Sequence, residues 1–282
     1  MIVGNDIAVF QKDIDWETYK KNSNFVIIKS TEGVGFTDPK FSRNQSEARR
    51  VGMAVGYYHF ARPDLGNTPE TEADYFLKVV GAPKDGEVFC LDYEPPSQIQ
   101  AHVDWCRKFM DRIFEKIGVR CLIYLNQSQV KKFDWRKVID GNYGLWIAAY
   151  TFNPNNNSFE TGQWPGAVMQ QWTNGQTVPG IPTPADGDAF FGDIATFKKY
   201  GYKTPPAPPA PTPPGADDFK KKIQTYFNFE ISAEDVIKFI EERKKEINTL
   251  NGAIDIKGAK IKLLTEKVDS FKAKVTNYVN GL

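Results

Sequence analysis

Asp92 and Glu94 stand two residues apart at the end of an apolar run, "EVFCLDYE" (87–94), and Pro95 and Pro96 follow at once. In an extended chain, residues two apart project to one face, with Cα atoms about 6.6 Å apart. Two carboxylates so placed suit glycoside hydrolysis. That reaction needs a protonated acid for the leaving oxygen and a charged group for the oxocarbenium-like transition state. Crowding raises the pKa of one carboxyl and keeps it protonated near neutrality. Asp6 opens the first apolar segment, and Asp186 and Asp188 lie near the last. "GYYHF" brings Tyr57, Tyr58 and His59 to a segment end; "LWIAAY" and "QQWT" bring Trp146, Tyr150 and Trp172. Aromatic faces stack on sugar rings, so an acid-lined cup with an aromatic rim points to carbohydrate. His59 reads as a hydrogen-bonded core residue and His102 as part of a helix surface. Two histidines without paired ligand spacing argue against a catalytic metal. With no phosphate-binding glycine loop and no Gly-x-Ser-x-Gly elbow, no cofactor is expected.

Something must hold these groups at one rim. Eight apolar stretches read as strands: 6–10, 25–30, 52–60, 87–94, 120–126, 144–150, 167–173 and 186–191. Helical patterns fall between the earlier ones, at roughly 39–51, 69–80, 97–117 and 127–133. Alternation of this kind implies a parallel sheet with helical crossovers. Eight strands in residues 1–203 fit a closed (β/α) barrel, whose active sites gather at the C-terminal strand ends. The last three strands leave little room for helices, so the barrel should be irregular.

The balance of 36 basic and 35 acidic residues gives no field for nucleic acid. No apolar run approaches a membrane span. The opening "MIVGNDIAVFQKDIDW" has no basic n-region, and Asp6 interrupts its apolar stretch, so no signal peptide is read there. Three cysteines, Cys90, Cys106 and Cys121, without metal spacing suggest reduced, buried thiols.

In order along the chain, "DIAVFQKDIDW" (6–16), "FVIIKSTEG" (25–33), "GYYHFARP" (56–63), "LDYE" (91–94), "LWIAAY" (145–150) and "VPGIPTPADGDAF" (178–190) resemble segments of glycoside hydrolase family 25. These are the Chalaropsis-type lysozymes, many of them phage endolysins. The resemblance covers about residues 4–200. It implies an irregular (β/α) barrel that cleaves the β-1,4 bond between N-acetylmuramic acid and N-acetylglucosamine in bacterial peptidoglycan. It places the general acid at Glu94 and, at Asp92, a partner that orients or polarises the substrate's N-acetyl group. Asp6 and Asp186 fall where the family has acids flanking the cleft; Tyr58 and Glu32 match its segments too. The departures are Ala8 for a serine, Lys12 for a glycine, and Gln170 for the first tryptophan of a "WQY" segment. They bear on substrate contacts, since the four acids remain. A chitinase-like hexosaminidase and an inactive wall-binding barrel are the rival readings. The resemblance and the missing leader pattern together suggest a phage lysin, held in the host cytoplasm until released to the wall, or carried in a virion.

Residues 204–216, "TPPAPPAPTPPGA", contain seven prolines and read as an extended spacer of roughly 40 Å. Beyond it, 217–282 carry a heptad: Ala233, Ile240, Ile247, Ile254, Ile261, Val268 and Val275 recur every seventh residue. This suggests an all-α tail that self-associates as a coiled coil through 233–282. A helical hairpin turning at Asn251-Gly252 and a wall-binding helical module are the alternatives.

Overall fold

In a computed structural model of the chain, residues 1–202 are described; the spacer and heptad expectations lie outside the described residues. Among the described residues nine strands occur: β1 (Ile2–Ile7), β2 (Phe25–Glu32), β3 (Phe36–Thr37), β4 (Ala54–Phe60), β5 (Val88–Asp92), β6 (Leu122–Asn126), β7 (Gly144–Ala148), β8 (Met169–Gln176) and β9 (Ala185–Phe190). Eight of them close into a barrel in the order β1-β9-β8-β7-β6-β5-β4-β2, with β1 pairing β2 to complete the ring. The ninth, β3, is a two-residue strand added antiparallel to β2. Every ring pairing is parallel except those of β9, which runs antiparallel to both β8 and β1. The barrel is therefore irregular, as expected. Because β9 is reversed, its first residues reach the same rim as the last residues of the other strands.

The helices are α1 (Trp16–Asn22), α2 (Phe41–Arg50), α3 (Pro69–Val80), α4 (Ala101–Ile117), α5 (Gln127–Lys132), α6 (Arg136–Asp140) and α7 (Ile194–Lys199). Local chemistry explains their ends. Thr68 caps α3 by accepting from Thr71 N, Pro69 opens it, and Gly81 ends it. Gly118 follows α4 at φ 72°, the left-handed conformation that glycine adopts freely. No helix connects β7 to β8 or β8 to β9.

Two apolar clusters follow from strand alternation. Phe25, Ile27, Val88, Cys90, Leu122, Met169 and Phe190 point into the barrel, where Phe197 of α7 packs on Phe25 and Phe190 near the start of β2. Val26, Ile28, Tyr57, Phe89, Leu91, Ile123 and Ile147 point outward beneath the helices. Each fully buried side chain of this size contributes about 1.5–3 kcal/mol. Small residues make room inside: a Cβ at Gly56 would come within 2.5 Å of Ile27 Cδ1.

One expected boundary is corrected. The first strand was expected at 6–10 but spans Ile2–Ile7, so Asp6 lies near its end rather than opening it. Gly4 and Asn5 lower the local strand propensity, but pairing to β2 and β9 overrides it. Val9–Gln11 instead forms a 3₁₀ turn closed by Ala8 N donating to Gln11 Oε1 at 2.8 Å.

His59 is a core residue as expected. It is fully buried, its Nε2 lies 2.8 Å from Glu72 Oε2, and its ring stacks on Phe109. His102 is half-buried on α4, with Nδ1 2.9 Å from the Tyr93 hydroxyl. All three cysteines are free and buried. Among the described residues, no helix is long and apolar enough to cross a membrane.

Candidate active site

The inward face of each strand, followed to the rim, supplies one wall of a single cleft. Asp6 comes from β1, Lys29 from β2, Tyr58 from β4, Asp92 from β5, Tyr124 from β6, Trp146 from β7, Gln171 from β8 and Asp186 from β9. With Glu94, Tyr150, Phe10, Gln11 and Phe60 they line a volume of about 290 Å³. Asp6 is the register partner of Asp186, which places these two acids side by side across the β1–β9 pairing.

Glu94 lies just past β5, held by the residue before it. Tyr93 turns outward into the core, and its carbonyl accepts from Gln129 Nε2 at 2.6 Å. Tyr93 N also donates to Tyr124 O. Alternation then returns Glu94 to the cleft side, where Pro95 is buried beside it.

The acids are crowded and poorly compensated. Asp6 is buried, and burial followed by the charge of Asp186 pushes its pKa up to about 8, although Gln171 Nε2 donates to it at 2.8 Å. Burial raises Asp92 well above the usual range, and Glu94 and Asp6 push it further; Lys29 opposes the shift. Oδ1 of Asp92 is buried without a hydrogen-bond partner among the described residues. Glu94 has surface open to water, yet the protein around its carboxyl and the neighbouring Asp186 raise its pKa. Burial also raises Asp186. Beneath them Asp188, fully buried, accepts from Trp146 Nε1 at 2.9 Å and is held well above the ordinary carboxylate range by burial and by Asp6. A group of this kind keeps some carboxyls protonated at neutral pH, which is the state a proton donor needs.

Of the residues expected from the sequence, Asp6, Asp92, Glu94, Asp186, Tyr58, Trp146 and Tyr150 come together here. Glu32 and Trp172 do not line the cleft. Glu32 follows a register shift in β2 and binds Lys29 Nζ and Arg62 Nη1, each at 2.9 Å, so it reaches the cleft only through Lys29. Trp172 adjoins Gln171 on β8 and therefore takes the opposite face. Sequence reasoning missed Lys29, Tyr124 and Gln171. Gln171 is a hub: its Oε1 accepts from the hydroxyls of Tyr124 at 2.9 Å and Tyr150 at 3.0 Å, while its Nε2 holds Asp6. The signal that finds all three is parity, because each lies on the inward face of its strand near the rim.

Comparisons with known proteins agree with this architecture. The model of glycosyl hydrolases family 25 matches residues 5–181. An N,O-diacetylmuramidase of Arthroderma benhamiae is 29% identical over 218 residues, covering 71% of this chain and 86% of that protein. A lysozyme of Streptococcus phage Cp-9 is 29% identical over 139 residues, covering 48% of this chain and 39% of that protein. Among solved structures, the muramidase from Trichobolus zukalii superimposes with a TM-score of 0.59 at 28% identity, covering 72% of this chain and all of that one. A closed eight-stranded barrel with this acid-lined rim, matched by the family's own model over residues 5–181, makes the chain a member of glycosyl hydrolase family 25, the lysozyme and muramidase family.

Proposed function

We propose that this enzyme cleaves the β-1,4 bond between N-acetylmuramic acid and N-acetylglucosamine in bacterial peptidoglycan. One observation carries the reading: beside Glu94, a carboxyl with raised pKa, lies the buried Asp92 with an oxygen that finds no partner among the described residues. A buried acceptor without a partner costs stability unless a ligand uses it. The acetamido N–H of a bound amino sugar is a suitable donor.

Glu94 protonates the leaving glycosidic oxygen. Asp92 accepts the acetamido N–H and turns the acetamido oxygen toward the anomeric carbon, where it displaces the leaving sugar. The ring formed is opened by a water that the Glu94 carboxylate deprotonates, which restores the acid and retains the anomeric configuration. Asp186 adds negative potential beside the developing oxocarbenium charge, while Asp6 next to it, raised to about 8, carries the proton of the pair at neutral pH. Tyr58, Trp146 and Tyr150 give the cleft aromatic walls. The likeness to a phage lysozyme supports a role as a lysin that opens a bacterial host's wall.

Digestion of purified peptidoglycan, followed by reduction and mass analysis of the products, tests this. New reducing ends on N-acetylmuramic acid are expected. New ends on N-acetylglucosamine, or activity confined to chitin, would overturn the bond assignment.

A further inference from the structure

The cleft has a second lobe. Asn126 and Ala148, which end β6 and β7, and Gln127 and Ser128, which open α5, line about 420 Å³ of open volume adjoining the acid cup. Glu94, Tyr124 and Tyr150 belong to both lobes, so Glu94 stands at their boundary. The other rim acids, Asp6, Asp92 and Asp186, line only the first.

That asymmetry sets a direction. A general acid must reach the oxygen joining two sugars, so the scissile oxygen lies where the lobes meet. Positive charge develops on the sugar that keeps its anomeric carbon, and Asp92 and Asp186, the carboxyls that face that charge and its acetamide, lie on one side of that point. We propose that the lobe formed by Asn126, Gln127, Ser128 and Ala148 is the binding site for the leaving sugar, so that the glycan strand runs with its reducing end toward β6 and β7. Under the muramidase reading above, on which the sugar's identity rests, the occupant is N-acetylglucosamine.

The chemistry of the lobe fits a neutral amino sugar. Its own four residues supply two amides, a hydroxyl and a small side chain, with no charge besides Glu94. The side chains of Gln127 and Ser128 make no hydrogen bonds among the described residues, which leaves them for sugar hydroxyls and an acetamide. Asn126 differs: its Oδ1 accepts from Gln129 N at 3.0 Å and fixes the corner on which the other two stand. Ala148 leaves space where a larger residue would fill the lobe.

The test compares two substrates in the full chain and in two variants, Gln127→Ala and Ser128→Trp. One substrate is a muroglycan tetrasaccharide. The other is the glycosyl fluoride of its non-reducing disaccharide, whose leaving group needs no sugar site. We expect kcat/KM on the tetrasaccharide to fall about tenfold for Gln127→Ala, the scale of a lost hydrogen bond or two, and further for Ser128→Trp. Fluoride hydrolysis should change less than about twofold. An equal loss on both substrates, or a loss on neither, would overturn the assignment. If the parent left muroglycan intact and cleaved chitin oligosaccharides, the bond assignment would fail. The same ratio measured with a chitin tetrasaccharide and its disaccharide fluoride would still decide the direction.

Discussion

The segment around β5 carries a buried acid near each end, and the two are treated in opposite ways. Glu87, just before the strand, receives Arg49 Nε at 2.7 Å, Arg49 Nη2 at 2.8 Å, the Tyr57 hydroxyl at 2.8 Å and Lys84 N at 2.8 Å. Asp92, at the other end, is about as buried (8% exposed against 5%) but has an oxygen with no partner among the described residues, and Glu94 and Asp6 repel its charge. Burial alone therefore does not distinguish a structural carboxylate from a reactive one; the supply of donors does. In parallel barrels the bottom face serves stability and the rim serves chemistry, and here one strand shows both.

Substitutions sharpen this contrast. The largest effect is expected at the rim: Glu94→Gln should lower kcat by about 10²–10⁴-fold, the scale of general-acid catalysis, with the thermal midpoint nearly unchanged. At the bottom the pattern should invert. Arg49→Met should cost about 3 kcal/mol of unfolding free energy, because it strands a buried carboxylate, while kcat stays near the parent's. Urea unfolding and wall-clearing assays on the same samples read both quantities.

Asp6 joins the two properties. Its pKa is near 3.8 in the unfolded chain and about 8 in the folded one. Between those values the native state binds more protons than the unfolded state, so this group makes stability fall as pH rises. Asp6→Asn removes the titration. The variant should gain roughly 1–2 kcal/mol over the parent near pH 9 relative to pH 4, while losing activity. A gain that failed to grow with pH, measured by urea titration at both pH values, would contradict the burial argument. A smaller effect is expected at Gln171, where Gln171→Ala frees Asp6, Tyr124 and Tyr150 together. Turnover should fall about tenfold, in line with one or two lost hydrogen bonds, with KM less affected.

Much of this was legible in the sequence. The spacing of Asp92 and Glu94 and the strand–helix alternation gave the barrel and its acid pair, because period-2 alternation and proline stops are local signals. The placement of Asp6 was less legible, since the extent of β1 is fixed in part by pairing to residues 180 or more positions away. Asp186 reaches the rim only because β9 is reversed, a fact of topology that local pattern does not carry. Lys29, Tyr124 and Gln171 escaped a search by residue type, although counting inward parity from the acids finds them. The same count puts Trp172 on the wrong face. Glu32 was the harder case, because the register shift after Lys29 breaks the parity.

The central claim is that burial and mutual repulsion raise the pKa values of the rim acids. Carboxyl-carbon NMR of the full chain, with labelled Asp and Glu assigned through Asp6→Asn, Asp92→Asn and Glu94→Gln, titrated from pH 3 to pH 10, tests it directly. The account predicts that Glu94 and Asp92 titrate above their ordinary values and that Asp6 titrates near pH 8. Ordinary or lowered values at all three would contradict it.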